Sequence, residues 1–282
     1  MDDYELLDVG GGARLERFGP HITDRPFAGA DRDRRSPAQW QEADLRFDRD
    51  GGWSGRGVNA ASDGWTATVA DLELELRPTE AGQVGVFPEH AAMLPWLRER
   101  VATRLASDPP TPVSVLNLFA YTGLATLALA LAGAAVTHVD ASRPTVTWAR
   151  HNAERSGLAD RPIRWIVDDA VAFSEREIRR GRRYAGVVLD PPSYGHGPGG
   201  RDWRIEDDLP GLLTAVAGLL EPDGFLLLTA HTPGFEGDRL ARLIRDSARR
   251  PSSSVDAGDL ELLTADGRRL ELGAFARWSG RS

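Results

Sequence analysis

No cysteine occurs among the 282 residues of this chain. That removes disulfides, thiolate metal ligands and any thiol nucleophile. Lysine is missing as well: all 34 basic residues are arginine, which codon bias in a GC-rich genome explains better than a demand for phosphate forks. Positive charge is also outweighed, and a net charge of −8 argues against a protein that wraps a long stretch of nucleic-acid backbone. Long apolar runs are lacking. The longest, Gly123 to Val136, falls short of the ~20 residues a membrane helix needs, and the N-terminal MDDYELLDVG is acidic and polar, so a cytoplasmic location is expected. His21, His90, His138, His151, His196 and His231 show no i, i+4 pairing, so no metal centre is expected.

What is present is apolar content of 41%, enough for one large core or for one core and a satellite domain. From Val113 onward short apolar runs alternate with helical stretches, the rhythm of a parallel sheet wrapped by helices. The expected strands are Val113 to Leu118, Ala135 to Val139, Ile163 to Val167, Ala185 to Leu189 and Phe225 to Thr229. Helices are expected over Gly123 to Ala132, Pro144 to Ser156, Ala170 to Arg180, Glu206 to Leu220 and Asp238 to Arg249. Thr122 and Ser142 sit where N-caps belong, and Pro144 suits a first turn because its missing N–H has no partner to lose. Asp266-Gly267 between leucine-rich runs signals a hairpin, which closes the sheet with an antiparallel pair. Upstream the texture changes to Gly-rich and Trp-bearing, with Leu72, Leu74 and Leu76 alternating with acids, a small β-rich extension to about Arg77. A helix from Arg98 to Leu105 leads into the main domain. Gly10-Gly11-Gly12 precedes no apolar helix and reads as a hairpin turn, not a phosphate loop.

In a doubly wound sheet, ligands bind beyond the carboxyl ends of the strands where the winding reverses. The first strand here runs into Asn117-Leu118-Phe119-Ala120-Tyr121-Thr122-Gly123, with one glycine where a dinucleotide loop requires G-x-G-x-x-G, so NAD and FAD are disfavoured. The second ends at Asp140, 23 positions after Asn117, the spacing at which an acid accepts from an adenosine ribose diol; Ser142 follows it. The third ends in Asp168-Asp169-Ala170, a carboxylate where an adenine amino group can donate. The fourth, YAGVVLDPPSY from Tyr184 to Tyr194, is the most informative. Asp190 can accept from an amino group, Pro191 and Pro192 hold the backbone extended so that freed carbonyls can face a ligand, and Tyr194 can lie flat on a base. Each acid alone is commonly a cap or a surface charge. Four successive strand ends carrying polar groups in this order point to a pocket for S-adenosylmethionine with a substrate-gripping edge.

VLNLFAYTGLATLALA, VDASRPTVTWARHNAERSGL, IVDDAVAF and VVLDPPSYG together resemble class I S-adenosylmethionine-dependent methyltransferases, in particular the family containing the ribosomal RNA large-subunit methyltransferases I and K/L. The similarity runs from about Gln83 to Ala230. GQVGVFPEH resembles that family's segment covering the cofactor, and LELGAFARWS resembles the closing strand of its shorter members. The resemblance implies a Rossmann-like α/β fold with a seven-stranded sheet whose last strand is antiparallel. It also implies a loop from Phe119 to Gly123 around the methionine moiety, Asp140 on the ribose and Asp169 near adenine. On this basis residues 1–80 are expected to form an N-terminal β-rich extension and residues 81–282 the methyltransferase domain. The chain departs from the family in showing no stretch assignable to a separate RNA-binding domain. It also has few basic side chains in Gly195 to Arg201.

The expected chemistry is methyl transfer to a nitrogen of an RNA base, with Asp190, Pro191 and Tyr194 as the catalytic set. Carbon-5 methylation of cytosine needs a thiolate to activate the ring and is excluded. Transfer to an exocyclic amine and to a ring nitrogen both stay open. So does a small-molecule acceptor such as a nucleoside or specialised metabolite, which the acidic balance favours; a noncatalytic module retaining the pocket is the third alternative. Trp203 is the candidate stacking platform, against the commoner use of large aromatics in packing. Arg176, Arg179, Arg180, Arg182 and Arg183 form the candidate basic patch, with a solvated helix face as the alternative. His196 is either a substrate contact or a loop residue without a role.

Overall fold

The computed structural model describes residues 3–107, 112–196, 202–248 and 254–280. It divides into two compact units, Met1–Ala92 with Glu261–Leu272, and Met93–Leu260 with Gly273–Ser282. No helix among the described residues is long and apolar enough to cross a membrane.

The first unit is β-rich. Strands β1 (Tyr4–Gly10), β2 (Ala13–Phe18) and β3 (His21–Pro26), helix α1 (Pro37–Glu42), and strands β4 (Leu45–Asp48) and β5 (Gly52–Ser54) build a five-stranded sheet in the order β1-β2-β3-β4-β5. The glycine run makes the β1–β2 turn as expected, Gly11 and Gly12 taking φ of 61° and 73°, the left-handed region that suits a two-residue hairpin. A short helix α2 (Val58–Ala61) precedes a separate hairpin of β6 (Trp65–Val69) and β7 (Leu72–Leu76), where the alternating leucines Leu72, Leu74 and Leu76 are buried. Glu16 is fully buried in this unit. Burial alone would raise its carboxyl pKa, but Arg14 Nε at 3.2 Å and Arg25 Nε at 3.0 Å outweigh it and hold the pKa below its ordinary value.

The second unit alternates helix and strand through α3 (Leu94–Ala106), β8 (Ser114–Leu118), α4 (Leu124–Leu131), β9 (Ala135–Asp140), α5 (Arg143–Arg155), β10 (Ile163–Val167), α6 (Ala170–Arg179) and β11 (Tyr184–Leu189). A two-stranded ribbon of β12 (Tyr194–His196) and β13 (Asp202–Arg204) comes next, then α7 (Ile205–Leu219), β14 (Leu220–Ala230), α8 (Gly237–Ala248), β15 (Val255–Leu263) and β16 (Arg269–Ser279), the stretch Glu261–Leu272 of the last two strands being counted in the first unit. The main sheet has seven strands in the order β10-β9-β8-β11-β14-β16-β15, with β10 through β14 parallel and β16 antiparallel to β14. The winding reverses between β8 and β11. The hairpin signalled by Asp266-Gly267 supplies the last two strands, with Gly267 at φ 82°.

Two local expectations are corrected. Thr122 is not the cap of α4: it is buried, and Gly123 holds that position with φ 97°, a conformation a β-branched residue avoids. The lead-in helix starts at Leu94, because Pro95 fits its first turn.

Close packing across the central strands rests on a missing side chain. Gly186 on β11 pairs with Phe225 on β14, and a Cβ at Gly186 would lie 2.2 Å from Phe225 Cζ. The Phe225 ring fills that space and meets Trp96 edge-on, with ring centroids 5.9 Å apart. Gly186→Ala is therefore expected to destabilise the fold by about 1–3 kcal/mol, since overpacking a filled core forces rotamer and backbone shifts. Urea unfolding monitored by circular dichroism would measure it, and an unchanged midpoint would contradict the packing described.

Candidate active site

Parallel pairing sets the edge where the site forms. Leu118 is the register partner of both Val139 and Leu189, and Leu189 of Leu228. One residue further along each chain come Phe119, Asp140, Asp190 and Thr229. The pairing therefore brings the loop after β8 and the acids ending β9 and β11 to the C-terminal edge of the sheet at its switch point.

The loop Phe119–Gly123 is held in an unusual shape. Phe119 and Tyr121 have φ of 54° and 48°, and Gly123 has 97°. Non-glycine residues at positive φ cost on the order of 1–3 kcal/mol each and persist only where surroundings over-determine them. Those surroundings are visible. Ala120 N donates to Val139 O at 3.1 Å, Tyr121 N donates to Asp140 Oδ2 at 2.9 Å, and buried Asn152 donates Nδ2 to Thr122 O at 3.0 Å. Asp140 accepts from Ser142 N through its other oxygen at 2.9 Å. Burial raises its pKa, and the two amides pull the other way. Ser142 is the N-cap of α5, as expected, accepting from Thr145 N.

Other expected site residues are already engaged. Asn117 is buried and donates Nδ2 to Thr126 Oγ1 at 2.8 Å. Asp169 caps α6, its Oδ1 accepting from Ala172 N at 2.8 Å beside buried Ala170. Asp168 pairs with Arg176.

At the end of β11, Asp190 is half-buried and Pro191 buried, while Pro192, Ser193 and Tyr194 are exposed. Tyr194 presents 47% of its surface and its hydroxyl bonds to Asp202 across the ribbon. Not both proline carbonyls are open to a ligand, contrary to expectation: Pro192 O accepts from Trp203 Nε1 at 2.7 Å. Trp203 is likewise no surface platform. It is 5% exposed, because β13 turns its one large apolar side chain inward between exposed Asp202 and Arg204. Of the proposed basic patch, Arg176, Arg180 and Arg183 are engaged by Asp168, Glu177 and Gly218 O. Gly197 to Arg201 lie outside the described residues.

Thr229 and His231 are site residues that the sequence reading missed. Thr229 donates its hydroxyl to Asp190 Oδ1 at 2.6 Å, and His231 Nε2 lies 3.6 Å from the same oxygen. The signal was available, since both sit at or just past the end of β14, the strand beside β11.

A parallel sheet wound in both directions, with an acid ending β9 and a single-glycine loop after β8, is the architecture of class I methyltransferases. No family model matches the chain. A solved S-adenosylmethionine-dependent methyltransferase from Agrobacterium tumefaciens is 37% identical, with a TM-score of 0.92, over 100% of this chain and 91% of that one. The chain belongs to the S-adenosylmethionine-dependent methyltransferases, and S-adenosylmethionine is its cofactor. A methyltransferase structure from Streptococcus mutans, 15% identical with a TM-score of 0.74 over 98% of this chain and 75% of that one, shares the fold. Among curated proteins, the ribosomal RNA large subunit methyltransferase K/L of Methylococcus capsulatus is 35% identical over 150 residues. That match takes in 52% of this chain and 20% of the relative, so the chain spans about a fifth of the length of that relative.

Thr126 Oγ1 accepts from Asn117 Nδ2 at 2.8 Å and is hydrogen-bonded to His138 Nδ1 at 2.9 Å. Burial lowers the His138 pKa from 6.5 to about 3. Between those values the unfolded chain takes up a proton that the folded one refuses, so stability falls as pH drops through that window. His138→Asn, which keeps a polar partner for Thr126 but cannot titrate, should reduce the stability lost between pH 6 and pH 4 by about 2 kcal/mol. Unfolding curves at the two pH values test this; an undiminished loss would remove His138 from the account.

Proposed function

We propose that this enzyme transfers a methyl group to a nitrogen of an RNA nucleobase, an exocyclic amine in the first instance. The observation that carries the reading is Asp190 at the switch-point edge, followed by two prolines and an exposed tyrosine ring. Support for RNA comes from the curated relatives, whose name specifies ribosomal RNA. Fold alone would not supply a substrate.

The residues fit the cofactor. Asp140 has two of its about four acceptor positions taken by amides, and the others suit a ribose diol. Ser142 sits beside that carboxylate. The loop Phe119, Ala120, Tyr121, Thr122 and Gly123, supported from below by Asn117, would hold the methionine end. Asp169, with one oxygen on its helix, would take the adenine amino group next to Ala170. When bound, S-adenosylmethionine supplies a methyl group already activated on a sulfonium.

Orientation then provides most of the acceleration. Asp190 and the Pro191 carbonyl would accept the two amine hydrogens and turn the nitrogen lone pair toward the methyl group. Thr229 fixes the Asp190 carboxylate in one rotamer. Once the nitrogen has gained the methyl it carries one proton too many, and His231, 3.6 Å from Asp190, is the group to receive it. Tyr194 would stack on the base, which must be flipped out or single-stranded to reach this edge. A small neutral acceptor is the second reading, favoured by the net charge of −8.

Replacing Asp190 with alanine should cut turnover on the order of a hundredfold or more while leaving the affinity for S-adenosylhomocysteine unchanged. Full turnover in that variant removes Asp190 from the mechanism. His231→Ala should lower kcat on the order of a hundredfold without a matching rise in KM. The substrate class is decided by mass spectrometry of RNA nucleosides from a strain lacking the gene: a methylated base should be missing. An intact RNA profile beside an altered metabolite profile would transfer the assignment to the small molecule.

A further inference from the structure

Trp203 touches two parts of the site at once. Its indole nitrogen donates to the Pro192 carbonyl at 2.7 Å, and its ring packs on Phe119 with centroids 5.0 Å apart and planes at 56°. Phe119 opens the loop that carries the positive φ values, and Pro192 belongs to the segment that follows Asp190. The ribbon that bears Trp203 has three residues in each strand. A two-stranded ribbon of that size does not hold itself together in water, so its order derives from what it is fastened to. Its fastenings at the site include Trp203 on Pro192 and Phe119, Ile205 N on Ser193 O at 3.1 Å, and Ser193 Oγ against Thr232 Oγ1 at 2.7 Å. Every one except the Phe119 contact lies on the Asp190 side. The Phe119 ring is thus a contact through which the loop after β8 bears on the ribbon.

We propose that Trp203 is a positioning residue that mechanically joins the cofactor loop to the substrate segment, so that filling the S-adenosylmethionine pocket stiffens Pro192–Tyr194 before the acceptor arrives. A ligand that orders Phe119 removes freedom from its ring, the ring restrains the indole, and the indole restrains the Pro192 carbonyl and the ribbon beyond it. The acceptor then meets a segment that is already ordered and binds more tightly, which is cooperativity through lost motion without a change of shape. By linkage the acceptor must in turn tighten the cofactor by the same factor. The inference relies on the proposed role of Asp190 to Tyr194, but its test uses the cofactor product alone, so it stands or falls separately from the choice of substrate.

Hydrogen–deuterium exchange on the full chain, with and without S-adenosylhomocysteine, reads the coupling directly. In the wild type, saturating ligand should slow exchange about fivefold or more in the loop at Phe119–Gly123 and also at Tyr194 and Ile205. In Trp203→Phe, which keeps a ring but loses the N–H donor, the loop should stay protected. The ratio of exchange with and without ligand at Tyr194 and Ile205 should fall to about one. A weakened ribbon alone would raise exchange in both states and leave the ratio unchanged, so the ratio separates coupling from general loosening. Phe119→Leu supplies a second variant that removes the ring contact and leaves the Pro192 hydrogen bond; at saturating ligand it should lose the same ratio. Wild-type protection confined to the loop, or protection of Ile205 that survives both substitutions, overturns the proposal.

Discussion

The parallel hydrogen bonding of β8 to both β9 and β11 is the constraint on which the rest of the site depends. Because one strand is paired on both sides in fixed register, Leu118 lies between Val139 and Leu189, and the residues that follow leave the sheet together. A slip of one position would send each side chain to the opposite face and scatter the acids. The register itself is held by apolar packing. Leu116, Leu118, Val187 and Leu189 belong to the buried core, and Gly186 leaves room for the Phe225 ring of the next strand.

On that base the molecule keeps its working edge rigid through polar contacts made by the backbone. Asp140 grips the amides of Tyr121 and Ser142, which keeps a strained loop in place and aligns the start of α5. The Asp190 segment is treated in the same way. Thr229 fixes the carboxylate, Trp203 holds the Pro192 carbonyl, and Ile205 holds that of Ser193. Asp140 and Asp190 hold the scaffold through some of their lone pairs and, in the proposed function, offer the others to a ligand. Carboxylates suit this because they have acceptor positions to share.

How far the sequence could be read depended on whether a signal was local. The strands from β8 to β11 and the helices between them were legible, since apolar runs, Pro144 and the cap residue Ser142 announce them within a few positions. The acids ending the strands were legible for the same reason. For Trp203 the sequence left a stacking platform and core packing both open, and packing is what the structure shows: its burial is set by neighbours such as Phe119 and Pro192, which nothing in Asp202-Trp203-Arg204 reveals. Thr229 and His231 escaped notice because β14 lies beside β11 through pairing across 39 positions, the separation of Thr229 from Asp190. Thr122 was assigned a cap by residue type, yet the loop's backbone conformation required glycine one place later.

Taken alone, the sequence determined the class of fold and the order of polar groups along the strand ends. Those properties follow from spacing and side-chain chemistry, which are written locally. Only the tertiary structure decided which carbonyls are already bonded, which aromatic ring is buried and which neighbours stand beside Asp190. These depend on contacts between segments far apart in the chain, and such contacts exist only after the sheet has aligned its strands.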